Sequence, residues 1–154
     1  MTRTEDPKLK QKESVMRGRS IGRELAIQLL YMLDVRGKED VDAQVEAFFR
    51  RESSPPDSQV FARQLYNGVS VATEELDDKI VEIATNWDIT RMAHLDKAVL
   101  RMGVYELLNC SDIPPKVTIS EGIELAKKYS TEKSSSFVNG ILDKVYQTCC
   151  PDKE

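Results

Sequence analysis

One histidine, one tryptophan, three cysteines and no long apolar run in 154 residues each close off a class of protein. Cys110, Cys149 and Cys150 are an odd set without metal-ligand spacing, and His94 has no cysteine near it, so neither a disulfide framework nor a zinc site is expected. A reduced, cytoplasmic chain is the economical reading. No segment approaches the roughly 20 apolar residues of a membrane span, and the N-terminus MTRTEDPKLKQKES is charged throughout, without the apolar stretch of a signal peptide. The sequon Asn109-Cys110-Ser111 is therefore expected to stay unmodified. A glycine-rich phosphate loop, a nucleophile elbow and a histidine-rich metal pattern are all missing, so no catalytic, cofactor-binding or metal-ligating residue is assigned. His94 reads as a surface or partly packed side chain, Trp87 as core or hinge packing, and Cys149-Cys150 as an ordinary pair near the end. The acidic run Glu74, Glu75, Asp77 and Asp78 reads as a solvated helix face, since no apolar pocket separates the carboxyls.

Strand alternation is also missing, and a 3.6-residue period is everywhere. Ile21, Leu25, Leu29 and Leu33 recur every fourth residue and predict a first helix from Ser20. A short helix is expected from about Val41 to Arg50, ended by ESSPPD, because consecutive prolines cannot continue a helix. Asp57 or Ser58 is the expected cap of a long third helix whose stripe runs from Phe61 through Leu65, Val69, Ala72, Leu76 and Ile80 to Ile83. In LDKAVLRMGVYELL, Leu95, Val99, Met102 and either Tyr105 or Glu106 mark successive turns before SDIPP stops the helix. Thr118 and Glu121 have capping-box spacing and are expected to open the next. The last segment, SSSFVNGILDKV, holds an Asn-Gly pair that ordinarily signals a hairpin. Phe137, Val138, Ile141, Leu142 and Val145 nevertheless line one helical face.

The architecture is thus all-α, a bundle of six or seven helices over residues 17–150, preceded by a polar tail, 1–16, read as disordered. Gly22, Gly68, Gly103, Gly122 and Gly140 each fall inside a predicted helix, where glycine costs about 1 kcal/mol relative to alanine. Close approach of helices is the compensating gain, and Gly140 is expected to be a packing notch. Asn139 is expected to tie its helix to a neighbouring loop by side-chain hydrogen bonds.

Charge is unevenly spread. Residues 1–23 hold seven basic and three acidic side chains, a balance of +4, so the remainder carries −8. A basic arm on an acidic body suggests a polyanion at one end and a different partner elsewhere. Arg19 and Arg23 are four apart and share a helix face, with Arg17 just before them. Clustered guanidinium groups grip phosphates and stack on bases, which suits single-stranded RNA, although the same pattern is also that of a solvated basic face.

RGRSIGRELAIQLLY, DKAVLRMGVYELL and IPPKVTISEGIELAKKYSTEKSSSFVNGILDKV, in that order, resemble signature segments of the NusB transcription antitermination family, and the similarity runs from about Arg17 to Tyr146. The resemblance implies a NusB-like fold of two packed helical sub-bundles, no catalytic activity and no cofactor. It also implies binding to the boxA element of nascent ribosomal RNA transcripts. The implied partners are the small-subunit ribosomal protein NusE and the RNA polymerase antitermination complex. A homodimer stands beside these, since a patch for a second copy cannot be told in sequence from one for NusE. By resemblance the RNA-facing residues are Arg17, Arg19, Arg23, Tyr31, Asp96 and Phe137. Ser20 and Ile21 stand where relatives often carry arginine, and Lys133 where they often carry an acid. This thins the cluster, with Lys8, Lys10, Lys12 and Arg17 available to compensate. Two other readings remain: a protein-binding scaffold with weak RNA affinity, and an RNA-binding subunit like the N-terminal part of some ribosomal RNA cytosine methyltransferases.

Overall fold

The computed structural model describes residues 6–86 and 88–154, so Trp87 and residues 1–5 of the tail lie outside the described residues. Among the described residues six α-helices follow one another, α1 Pro7–Arg36, α2 Val41–Arg51, α3 Pro56–Ile83, α4 His94–Asn109, α5 Pro115–Tyr129 and α6 Glu132–Cys149, with a 3-10 turn at Ile89–Arg91. No strand occurs among the described residues. The expected all-helical bundle is what the chain builds.

Helix α1 is longer than its apolar stripe. Asp6 caps it by accepting from the Lys8 backbone N–H at 3.0 Å, Pro7 supplies a favourable first residue, and nothing between them and Ser20 breaks the helix. The disorder expected for residues 7–16 is therefore replaced by helix, propagated outward from the packed part of α1 because elongation is far easier than nucleation. Gly37, at φ 88°, ends α1 by donating its N–H to the Leu33 carbonyl.

Two expected caps do other work. Ser58 lies inside α3, which starts at Pro56, and its hydroxyl donates to the Gly18 carbonyl of α1 at 2.8 Å. Thr118 is the fourth residue of α5, which opens on Pro115, and its buried hydroxyl donates to Glu106 on α4. Prolines at both starts remove an N–H that would otherwise need a cap.

Helix α1 packs against α3, while α5 and α6 pack on each other and on α4; α4 also meets α1 and α3, so two groups of helices share one core. Val45 and Phe49 bury the apolar face of α2, and Arg63 of α3 clamps it, stacking 4.2 Å from the Phe49 ring centre and pairing with Glu46 at 2.9 Å. The helical glycines divide sharply. A Cβ at Gly68 would lie 2.1 Å from Tyr105 Cζ, and one at Gly22 would lie 2.9 Å from the Ser58 carbonyl oxygen, so both are true notches. Gly140 is not. It is exposed, and a Cβ there would meet no neighbouring element within 4 Å. Asn139 beside it is also exposed and makes no side-chain hydrogen bond among the described residues. Both expectations fail because these two residues lie on the outer face of α6, opposite Val138, Ile141, Leu142 and Val145. Gly140→Ala should accordingly stabilise the fold by up to about 1 kcal/mol through helix propensity alone. Thermal denaturation checks this, and a loss of stability would place a neighbour over that face.

Candidate nucleic-acid interface

The packed part of α1 carries the polar residues that decide what its surface can do. Gly22 and Leu25 face the core, and Arg23, between them, is drawn in with them to 1% exposure. Its guanidinium donates from Nε and one Nη to the two carboxylate oxygens of Glu106 at 2.8 and 2.9 Å. Glu106 is equally buried and also accepts from Thr118 at 3.0 Å. Glu121 lies 3.7 Å from Arg23 and accepts from Ser20 at 2.6 Å. Burial works against the Arg23 charge, but the bond and attraction to Glu106 outweigh it and hold the guanidinium still more firmly protonated than usual. Arg23 is thus no surface contact for a phosphate. It is the anchor joining α1 to α4 and α5.

Arg19, one turn earlier, is half-buried. It pairs with Asp112 at 2.8 Å and stands 5.3 Å from the Phe61 ring centre, with Arg23 over the same ring at 5.4 Å. The bond from Arg19 holds the Asp112 carboxyl below its ordinary range. Arg17 is exposed.

Farther along α1 the helix meets the start of α4 and the end of α5. Glu24 accepts from Tyr129 at 2.7 Å and pairs with Lys128, and these bonds lower its pKa although partial burial works the other way. Gln28 reaches the Tyr129 hydroxyl at 3.3 Å. Tyr31, 44% exposed, sits edge-on to His94 with ring centres 6.4 Å apart. His94 pairs with Asp34, which Lys97 also reaches at 3.2 Å; burial raises the Asp34 pKa, yet the bonds from His94 and Lys97 bring it below normal.

Two adjoining clefts result. One, of about 560 Å³, is lined by Gln28, Tyr31, Ala93, His94, Leu95, Tyr129 and Ser130. The other, of about 460 Å³, shares Ala93 and is lined by Asp96, Phe137, Arg91, Lys133 and Ser134 among others. Ser134 donates to one Asp96 oxygen at 3.0 Å, while the other is enclosed without a hydrogen-bond partner among the described residues. Tyr31, Asp96 and Phe137 therefore line two clefts that meet at Ala93, with cations at Arg91 and Lys133 in the wall of the second. Aromatic faces beside exposed cations are what single-stranded nucleic acid binds.

The family model described as the NusB family matches residues 20–147. The chain belongs to the NusB family. Two transcription antitermination proteins NusB are each 44% identical to this NusB-family chain. That of Syntrophus aciditrophicus matches over 87% of this chain and 83% of its own length, and that of Geobacter sulfurreducens over 90% and 99%. Among solved structures, NusB of T. maritima superposes with a TM-score of 0.77 at 35% identity, covering 84% of this chain and 91% of that one. A structure of antitermination factors NusB and NusE in complex with dsRNA superposes with a TM-score of 0.75 at 30% identity, covering 86% and 98%. The family match begins after Arg19, so Pro7 to Arg19 of α1 lies outside it.

Sequence reasoning overlooked Glu106 as the partner of Arg23, and it overlooked Tyr129 and His94 as cleft walls. The first carried a signal: Glu106 was an alternative to Tyr105 on the inward stripe of α4, and an acid on an apolar stripe needs a buried cation. Asp77, read as solvated, instead takes two bonds from Arg101 at 2.7 and 2.8 Å.

Proposed function

We propose that this NusB-family chain works as a non-catalytic transcription antitermination adaptor that binds boxA RNA as a single strand together with NusE, within the RNA polymerase antitermination complex. The pair of clefts joined at Ala93 carries this reading. Tyr31 and Phe137 offer rings for base stacking, Arg17 and Arg19 offer charge along α1, and Asp96, with one oxygen enclosed and the other bonded to Ser134, shapes the wall of the Phe137 cleft. The solved complex of NusB and NusE with dsRNA supports the pairing with NusE and with RNA through a shared fold, while the single-stranded form of the RNA rests on the clefts. Among the described residues no helix is long and apolar enough to cross a membrane.

Titrating boxA RNA into the protein alone and into its NusE complex at one salt concentration tests the reading. Coupling between two sites is reciprocal and typically worth about 1 to 3 kcal/mol, so NusE should tighten RNA binding by roughly 5- to 150-fold, and RNA should tighten NusE binding by the same factor. Equal dissociation constants with and without NusE would defeat the adaptor role.

A further inference from the structure

The first three turns of α1 have no work to do inside the fold. Residues 6–17 are exposed, and the body takes hold of the helix only where Ser58 donates to the Gly18 carbonyl. Pro7 to Arg17 therefore projects about 16 Å at 1.5 Å per residue. It carries Lys8, Lys10, Lys12 and Arg17 against one acid, Glu13. Lys8, Lys12 and Arg17 have no ion-pair partner among the described residues. Lys8 and Lys12, four apart, repel each other on one helix face. A projecting helix with no packing and a self-repelling charge is weakly held, and a bound polyanion would remove the repulsion.

The placement of the cations distinguishes among polyanions. At 3.6 residues per turn Lys8 and Lys12 fall on the face of Arg19, whereas Lys10 and Arg17 fall on the opposite face, in line with Glu24, Gln28 and Tyr31. A flat anionic surface such as a membrane can meet only one of these faces. A flexible strand that leaves the Tyr31 cleft and follows the helix can meet both.

We propose that the N-terminal extension of α1 is a helical arm that grips RNA phosphates flanking the boxA element held at the clefts. The arm lies outside the part of the chain that the family model matches, and this inference rests on the RNA-binding reading above.

The test compares the full chain with its Lys8→Gln/Lys10→Gln/Lys12→Gln variant, because glutamine keeps helix propensity while removing charge. The probes are labelled boxA RNA with no flank and the same RNA with about eight extra nucleotides on each side, within the usual range for a single-strand site. Each phosphate neutralised adds about −0.7 to the slope of log affinity against log salt, so the parent should show a slope steeper by about 1 to 2 on the flanked RNA. The two proteins should bind the unflanked RNA alike. Amide exchange over residues 7–17 should slow in the parent on adding flanked RNA. Equal affinity and slope on flanked RNA, with both proteins binding boxA, would overturn the arm and leave the adaptor reading intact. Failure of the parent to bind either RNA would overturn the adaptor reading and the arm with it. Slowed exchange with phosphatidylserine vesicles and not with flanked RNA would assign the arm to a membrane instead.

Discussion

Replacing Arg23 with methionine while Glu106 remains should destabilise the protein by about 3 to 5 kcal/mol, because a buried carboxylate is left without its cation. For a chain of this size each kcal/mol corresponds to about 2 to 4 °C in Tm, so the loss is readable by circular dichroism on heating. The cause is the desolvation of Glu106, which is 1% exposed and would keep only the Thr118 hydroxyl as a side-chain partner. Arg23→Met/Glu106→Leu should recover most of the loss, since an apolar pair of similar volume is often neutral relative to a buried ion pair. A single Arg23→Met variant as stable as the parent would mean that the guanidinium reaches water in solution. The same chemistry limits mutational tests of RNA binding. Any variant that removes Arg23 reports on the joint between α1, α4 and α5 before it reports on RNA, whereas Arg17 and Arg19 can be changed at the surface.

Tyr31→Ala should weaken boxA binding by roughly 5- to 150-fold, the equivalent of about 1 to 3 kcal/mol per stacked base. Phe137→Ala should do the same. Tyr31 is exposed, so its substitution should leave the thermal transition nearly in place, while half-buried Phe137 should also lose some stability. Tyr31→Phe keeps the ring and should keep the affinity, which separates stacking from any bond to the hydroxyl. Fluorescence anisotropy with boxA RNA at fixed salt measures both. Full affinity in Tyr31→Ala would place the RNA on another face of the molecule.

How much of this was legible in sequence follows from the range over which each force acts. The helices could be read directly because a buried helical face repeats along the chain, as Leu65, Val69, Leu76 and Ile80 do on α3. Pro55-Pro56 and Pro114-Pro115 marked helix ends for an equally local reason, the missing N–H, while their second role, opening α3 at Pro56 and α5 at Pro115, went unread. The basic arm and the aromatic residues were visible as residue types. Caps were less secure, since Ser58 and Thr118 each have a hydroxyl that can serve its own helix or a neighbouring one, and only packing chooses.

The glycines and arginines make the same point more strongly. Gly68 and Gly140 are alike in local sequence terms, each a glycine within a helix, yet Tyr105 crosses the first and nothing crosses the second. Arg19 and Arg23 lie on one face one turn apart, yet one meets Asp112 at the surface and the other is sealed against Glu106. The sequence alone determined the helices, their order, the family and the sign of charge at each end, because these depend on neighbours along the chain. The tertiary structure decided which glycine is a notch, which arginine is a surface and which rings share a cleft. Those depend on side chains that are distant in sequence, such as Glu106 for Arg23, and that are brought within contact distance only when α1 and α4 bury their faces together.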